Sequence, residues 1–240
     1  MKTMLVTGAS SGIGQAVAEL ALAEGWRVGL LARRRDALAE VAAGRDTALV
    51  LPGDVSDLAA VEAAVAQLVA QWNRLDVLFN NAGLFTPQGA IDEIDPADWT
   101  ESLAVNLTGM FNAARAAFAQ MRKQGGGRIV NNGSISAATP RDGSVCYTTT
   151  KHGVTGLTKS LALDGRPLGI TAGQIDIGNA ETPMVIALND RLVAEGKPPV
   201  PVMDVADAAK SVLYMADLPA GTNVLFHTIM AAQMPFVGRG

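Results

Sequence analysis

Residues 3–14 read TMLVTGASSGIG, and their order decides the fold. Thr3 to Thr7 make a short apolar run of the kind that forms a buried strand. A glycine-bearing turn follows at once, and behind it Ala16, Val17, Leu20 and Ala21 recur at helical spacing. The unit is strand, turn, helix. Gly8, Gly12 and Gly14 let the backbone turn tightly and come close to a ligand, leaving main-chain N–H groups and a helix N-terminus free to face a phosphate. The spacing is G-x-x-x-G-x-G, which differs from the common fingerprint G-x-G-x-x-G, and such turns also join strands to helices for structural reasons alone. Its place after the first strand favours the binding reading.

Strands and helices keep alternating downstream. Gly25 suits a helix C-terminus, and Arg27 to Ala32 read as a second buried strand ending in Arg33-Arg34-Arg35. In a dinucleotide fold the end of that strand meets the adenosine ribose. An acidic residue there would accept a bond from the 2′-hydroxyl, whereas Ala32 and Arg33 offer no carboxylate and at least one cation. That points to a 2′-phosphate and so to NADP(H), with NAD as second choice; Arg33, first after the strand, is the expected ligand. Thr47 to Leu51 make a third strand. Asp54 and Val55 then precede a helix from about Asp57 to Trp72 with Leu58, Val61, Val65 and Leu68 on one face. Leu75 to Phe79 make a fourth strand, with Asn80-Asn81-Ala82-Gly83 at its carboxyl end, where parallel sheets place ligands.

Pro96 to Gln124 read as one long helix with Asn106 in its middle. Asparagine is a poor interior helix residue, so a kink or a specific partner is expected there, a solvent-facing side chain being the alternative. Arg128 to Asn132 make a fifth strand, and Ser134 falls just past its end, on the edge that carries the glycine turn. Gly143 and Ser144 read as a turn and an N-cap, which sets Tyr147 and Lys151 one helical turn apart on one face. Lowering a phenol from about 10 to near 7 takes roughly 4 kcal/mol, and a lysine charge at ~4 Å supplies about that at an effective dielectric of ~20. On this reasoning Lys151 makes Tyr147 a general acid/base usable at neutral pH. The bland alternative is an ordinary surface pair; the upstream features weigh against it.

The same helix carries Thr148, Thr149, Thr150, Gly153 and Gly156, small residues that suggest close packing against another helix or another subunit. His152 and Cys146 fit structural roles. Gly169 to Ile175 make a sixth strand. Asn179 to Val202 look irregular, a lid or binding loop over the substrate. Asp204 caps a helix to Ala216, and Asn223 to Thr228 make a seventh strand.

With 240 residues, 49% of them apolar, the chain can form one domain over its whole length. A net charge of -4, with no basic run beyond Arg33 to Arg35, gives no footprint for nucleic acid or an anionic membrane. One cysteine excludes an internal disulfide, and two scattered histidines leave no metal-ligand spacing. A soluble cytoplasmic protein is expected.

Taken together, Thr7 to Gly14, Asn80-Asn81-Ala82-Gly83 and Tyr147-x-x-x-Lys151 resemble the short-chain dehydrogenase/reductase family over almost the whole chain. Ser134 and Asn106 match its catalytic serine and asparagine. The resemblance implies a doubly wound Rossmann-type α/β fold with seven parallel strands, a homodimer or homotetramer packed through the long helices, and a carbonyl or secondary alcohol as substrate. It also implies that Tyr147 exchanges a proton with the substrate oxygen, that Ser134 hydrogen-bonds that oxygen, and that Lys151 lowers the tyrosine pKa and holds the nicotinamide ribose. Asn106 would anchor a water linking Lys151 to solvent. The pyrophosphate would lie on the turn made by Gly8, Ser10, Ser11, Gly12, Ile13 and Gly14, and adenine near Asp54 and Val55. The adenosine ribose would lie against Asn81, Ala82 and Gly83, and the carboxamide near Gly178 and Thr182.

Two departures stand out. The family's usual Pro-Gly after the sixth strand is Ile177-Gly178, and the C-terminal Val-Asp-Gly-Gly is absent. The rival reading is a dinucleotide sensor or scaffold without turnover, whose expected mark, a broken Asn-Ser-Tyr-Lys set, is missing. Dehalogenation on this scaffold is disfavoured by the presence of Lys151 and the glycine turn.

Overall fold

A computed structural model describes residues 1–237 of the chain; the last three residues of the expected domain lie outside the described part. The strands are β1 (Thr3–Thr7), β2 (Arg27–Ala32), β3 (Ala48–Pro52), β4 (Val77–Asn80), β5 (Gly127–Asn132), β6 (Ile170–Ile177) and β7 (Phe226–Ile229). They form one sheet in the order β3-β2-β1-β4-β5-β6-β7, each neighbouring pair parallel.

Alternation along the strands divides the core. Met4, Val6, Val28, Leu30, Val77 and Phe79 face one layer, built from α1 (Gly12–Ala23), α2 (Arg35–Ala42) and α8 (Val205–Asp217). Leu5, Leu31, Leu78 and Ile129 face the other, built from α3 (Leu58–Trp72) and α5 (Gly109–Gln124), with the end of α6 (Val145–Gly165) beside them. Both faces are covered, which is why the strands read as continuous apolar runs. Each fully buried leucine or valine contributes about 1.5–3 kcal/mol. Caps set several helix ends: the Asp57 carboxylate accepts from the N–H groups of Ala59 and Ala60, and Asp204 accepts from Ala206.

Four elements differ from expectation. The helix α2 lies between the second and third strands, where no element was anticipated; its eight residues bury only Leu38, Val41 and Ala42, too short a stripe to stand out. The long helix from Pro96 is three pieces, α4 (Pro96–Leu103), a π-helical turn (Ala104–Thr108) and α5, so the irregularity expected at Asn106 is there. The stretch expected to be irregular holds α7 (Pro183–Ala194), which begins with Thr182 as cap and Pro183 in its first turn and buries no residue. A helix with no core face leaves little periodic signal. The seventh strand starts at Phe226 rather than Asn223, because the Asn223 side chain is turned inward, donating to Ala172 O (2.7 Å) and accepting from Arg128 (3.2 Å).

From β1 the chain winds outward through β2 and β3, then returns to the other side of β1 as β4. At this switch point the connections diverge and leave a cleft at the carboxyl ends of the strands. Among the described residues no helix is long and apolar enough to cross a membrane, and no group of His, Cys, Asp or Glu could hold a metal ion.

Candidate active site

The cleft begins at the turn between β1 and α1. Gly8 has φ +67° and its N–H donates to Leu31 O (2.8 Å), while a Cβ at this position would lie 2.9 Å from Ala82 Cα. Only glycine fits. Gly14 packs beneath the turn, where a Cβ would meet Gly8 O at 2.3 Å, and does not line the cleft. Gly8, Ser10, Ser11, Gly12 and Ile13 do line it. Ser11 stands at the N-cap of α1 in extended conformation with no side-chain cap bond, so the first-turn N–H groups are left for an anion. Backbone donors and a helix N-terminus in a glycine cradle fit a pyrophosphate.

At the adenosine end Arg33, Arg34, Asp54 and Val55 line the cleft. Arg34 Nη2 donates to Ser10 O (3.2 Å) and Ser10 Oγ (3.4 Å), bracing the turn. The Ser56 N–H, 2.9 Å from Asp54 Oδ1, holds the Asp54 carboxyl below its ordinary range, with help from the Ser56 hydroxyl and the Arg33 charge. Arg33 therefore lines the cleft with its charge acting on Asp54, and Arg34 braces the glycine turn.

The loop after β4 is tied down from two sides. Thr7 Oγ1 accepts from the N–H groups of Asn81 (2.8 Å) and Ala82 (2.9 Å), and Asn81 Nδ2 donates to Thr7 O (2.9 Å). Asn81, Ala82 and Gly83 are thereby held along the cleft. From behind, Asn106 Oδ1 accepts from Leu84 N (2.7 Å) and its Nδ2 donates to Leu84 O (2.9 Å). Asn106 is 0% exposed and does not line the cleft; its amide is committed to the loop. The π-helical turn brings it there.

Ser134 stands at the end of β5, Tyr147 and Lys151 on the first turns of α6, and all three line the cleft. The Ser134 hydroxyl stands close enough to the Tyr147 phenol to pull its pKa down. Lys151, 3% exposed, donates from Nζ to Asn132 O (2.8 Å), with Nζ 5.4 Å from the Tyr147 ring centroid. Phe85 stacks on the Tyr147 ring, centroids 4.0 Å apart and planes at 18°. Gly143 supplies the turn as expected (φ +66°), whereas Ser144, though at the N-cap, turns its hydroxyl back to Arg141 O (2.7 Å) and caps nothing.

The expected acidification of Tyr147 needs correcting. Burial pushes its phenol above the ordinary value, and although the Ser134 hydrogen bond and the Arg141 charge pull it down, Asp176 adds to the rise. Burial also brings the Lys151 ammonium down to about 8, against an opposing pull from Asp176. The sequence reading set the lysine charge at close range and took no account of desolvation of the phenol; the structure puts the phenol under Phe85 and turns the ammonium to a carbonyl.

The far end of the cleft is closed by Ile177, Gly178 and Thr182, with Met184 and Val185 at the start of α7. Ile177 in place of proline keeps its strand register, pairing with Ile229 on β7. Sequence reasoning missed Asn132 and Gly133 as lining residues, while Asn179 falls in the expected substrate loop and Arg34 in the arginine run already singled out. The asparagine pair ending β5 was the available signal.

A family model described as short chain dehydrogenase matches residues 2–192. The acetoacetyl-CoA reductase of Rhizobium meliloti is 35% identical over 228 residues, covering 92% of this chain and 92% of its own. The closed form of a serine dehydrogenase complexed with NADP+ superposes with a TM-score of 0.91 at 26% identity, over 99% of this chain and 98% of that one. A 3-ketoacyl-(acyl-carrier-protein) reductase from Brucella melitensis complexed with NADH gives 0.86 at 25% identity, over 96% and 97%. The motifs first met as a strand, a glycine turn and a Tyr-Lys pair are carried on the same fold as these proteins, and the chain belongs to the short-chain dehydrogenase/reductase family.

Proposed function

We propose that this protein is an NADP(H)-dependent oxidoreductase that moves hydride between the nicotinamide and a carbonyl or secondary alcohol, with Tyr147 as general acid/base. The observation that carries the reading is the Ser134–Tyr147 hydroxyl pair, one helical turn from the Lys151 ammonium, in the cleft that also holds the glycine turn. The nicotinamide supplies the hydride; the protein supplies position and charge.

A phenol raised above its ordinary value is protonated at neutral pH, so Tyr147 is poised to donate its proton to a carbonyl oxygen as the carbonyl carbon becomes the alcohol carbon. Ser134 hydrogen-bonds the same oxygen, and the Lys151 cation stabilises the phenolate left behind. Asn106 holds the loop that sets Phe85 against Tyr147. The segment 179–203 is the substrate loop, and Phe85, Arg141 and the chain after Pro183 shape a pocket for a small or medium carbonyl compound, whereas Ser136, expected there too, is buried off the cleft. Since one similar structure is complexed with NADP+ and another with NADH, the preference for NADP rests on Arg33, which lines the cleft at the end of β2.

The test is a steady-state screen of carbonyl compounds with NADPH and with NADH, run beside Tyr147→Phe. We expect NADPH oxidation at pH 7, and a loss of about 10²-fold or more in kcat in the variant with cofactor affinity nearly unchanged. Equal activity in the variant would refute the acid/base role. Tight NADPH binding with no turnover on any carbonyl would leave the sensor reading standing instead.

A further inference from the structure

Asp176 sits at the end of β6, behind the cleft wall, and ties together the groups that the proposed chemistry uses. Its Oδ1 accepts from the Ser134 N–H (2.9 Å) and from Gln174 Nε2 (2.8 Å). Gln174 is fully buried; its Nε2 also donates to Thr155 Oγ1 (3.1 Å), and its Oε1 accepts from Thr158 Oγ1 (3.2 Å), which in turn accepts from Asn131 Nδ2 (2.9 Å). The carboxylate therefore ends a buried chain of hydrogen bonds across β5, α6 and β6. Gly133 makes room for it, since a Cβ there would lie 2.1 Å from Asp176 Oδ1. Nothing larger than glycine allows the carboxylate to reach the Ser134 N–H.

The charged and titratable groups acting on this carboxylate or sharing its surroundings are Lys151 and Tyr147 on α6 and Arg141 in the loop before it, while β7 sets uncharged Thr228 beside it. We propose, on the oxidoreductase reading above, that Asp176 is a positioning residue: it holds Ser134 by its main-chain N–H and supplies a partly buried negative charge whose field reaches the Lys151 ammonium. The need for such a charge is physical. Burial weakens the lysine's hold on its proton until its pKa is about 8, and the Asp176 charge pulls against that fall. Burial raises the Asp176 carboxyl, while Gln174, Ser134 and Lys151 lower it. The arrangement is reciprocal.

Asp176→Asn keeps an acceptor for Ser134 and removes the charge; Asp176→Ala removes both. In full-length protein, we expect the alkaline limb of kcat for NADPH-dependent reduction to move to lower pH by about one unit or more in the Asn variant, with activity at pH 6 close to the parent's. The Ala variant should in addition lose kcat at every pH, with KM changing less. An Asn variant whose pH profile superimposes on the parent's would overturn the charge role, since a merely structural residue leaves the profile in place.

A second arm needs no substrate. Lys151 titrates near 8 in the folded chain and about 10.4 when unfolded. Between these values the unfolded state binds more protons, so this residue makes stability rise with pH across that window. The difference in urea unfolding between each protein and its Lys151→Met counterpart isolates the rise. It should begin about one unit lower in Asp176→Asn than in the parent; the same starting pH in both would sink the proposal. If no protein, parent included, turns over any carbonyl, the oxidoreductase reading fails and this arm still decides the role of Asp176.

Discussion

Two neighbouring arginines do different work at the adenosine end. Arg34 is spent on the Ser10 carbonyl and hydroxyl, so it shapes the phosphate turn that any dinucleotide would use. Arg33 lines the cleft and acts on Asp54, and on the proposed reading it meets the 2′-phosphate. Charge-assisted hydrogen bonds are worth about 1.5–3 kcal/mol, so Arg33→Ala should weaken NADPH about tenfold to a hundredfold and leave NADH within about twofold. Arg34→Ala should weaken both alike. Titrating the fluorescence of each reduced cofactor measures this, and equal losses in Arg33→Ala would mean that the arginine does not read the phosphate. At this scale the meeting of Ser134, Tyr147 and Lys151 at one cleft was legible from a strand end, a turn glycine and an i,i+4 spacing. The direction of the Tyr147 shift was not, because desolvation depends on what covers the phenol, and Phe85 reaches it from a loop more than sixty positions upstream. Asp176 was illegible for a similar reason. Its importance lies in contacts with Ser134 and Gln174 that no local pattern announces.

The π-helical turn between α4 and α5 shows how an element can carry a function that none of its residues performs. One extra residue in the turn aims Asn106 at Leu84, where the amide satisfies both the N–H and the carbonyl of a loop residue with no strand partner. Replacing it by alanine leaves two polar groups without their bonds, at about 1–3 kcal/mol for each that stays buried. We expect Asn106→Ala to lower the urea midpoint by an amount equivalent to about 2–4 kcal/mol with unchanged slope, and to lower kcat as Phe85 is released from Tyr147. A variant within about 0.5 kcal/mol of the parent, the usual span for surface changes, would show that the clamp is incidental. The poor helix propensity of asparagine announced this irregularity. Elements without a core face were the ones that escaped: α7 buries nothing, and α2 buries three residues of eight. The seventh strand was placed three residues early because Asn223 gives its side chain, not its backbone, to the sheet.

At the scale of the molecule, one face remains partly apolar. On the outer side of α3, α5 and α6 a shallow groove has an apolar floor that includes Val69, Phe111, Phe118 and Leu157 and a charged rim that includes Glu62, Arg115, Arg122 and Asp164, and Phe111 is 50% exposed. The small residues of α6 divide between inside and outside. Gly153 lies against Leu107, where a Cβ would come within 3.0 Å, whereas Gly156 has nothing within 4 Å and leaves space for a neighbour. We propose that this face packs against a second copy of the chain, as expected from the family resemblance. In a two-fold interface each residue appears twice, so Phe111→Glu would bring two carboxylates into one apolar contact, where like charges cost several kcal/mol. Sedimentation at micromolar concentration should give the parent a mass of two or four chains of 24.8 kDa, and the variant a single chain with unchanged circular dichroism. A parent that sediments as one chain, or a variant that keeps the parent's mass, would place the interface elsewhere or nowhere. The cleft gives a reason for the assembly: Tyr147 and Lys151 stand at the start of the helix whose far half lines the groove, so pairing through α6 would hold the turn that carries them from behind without a partner residue entering the cleft.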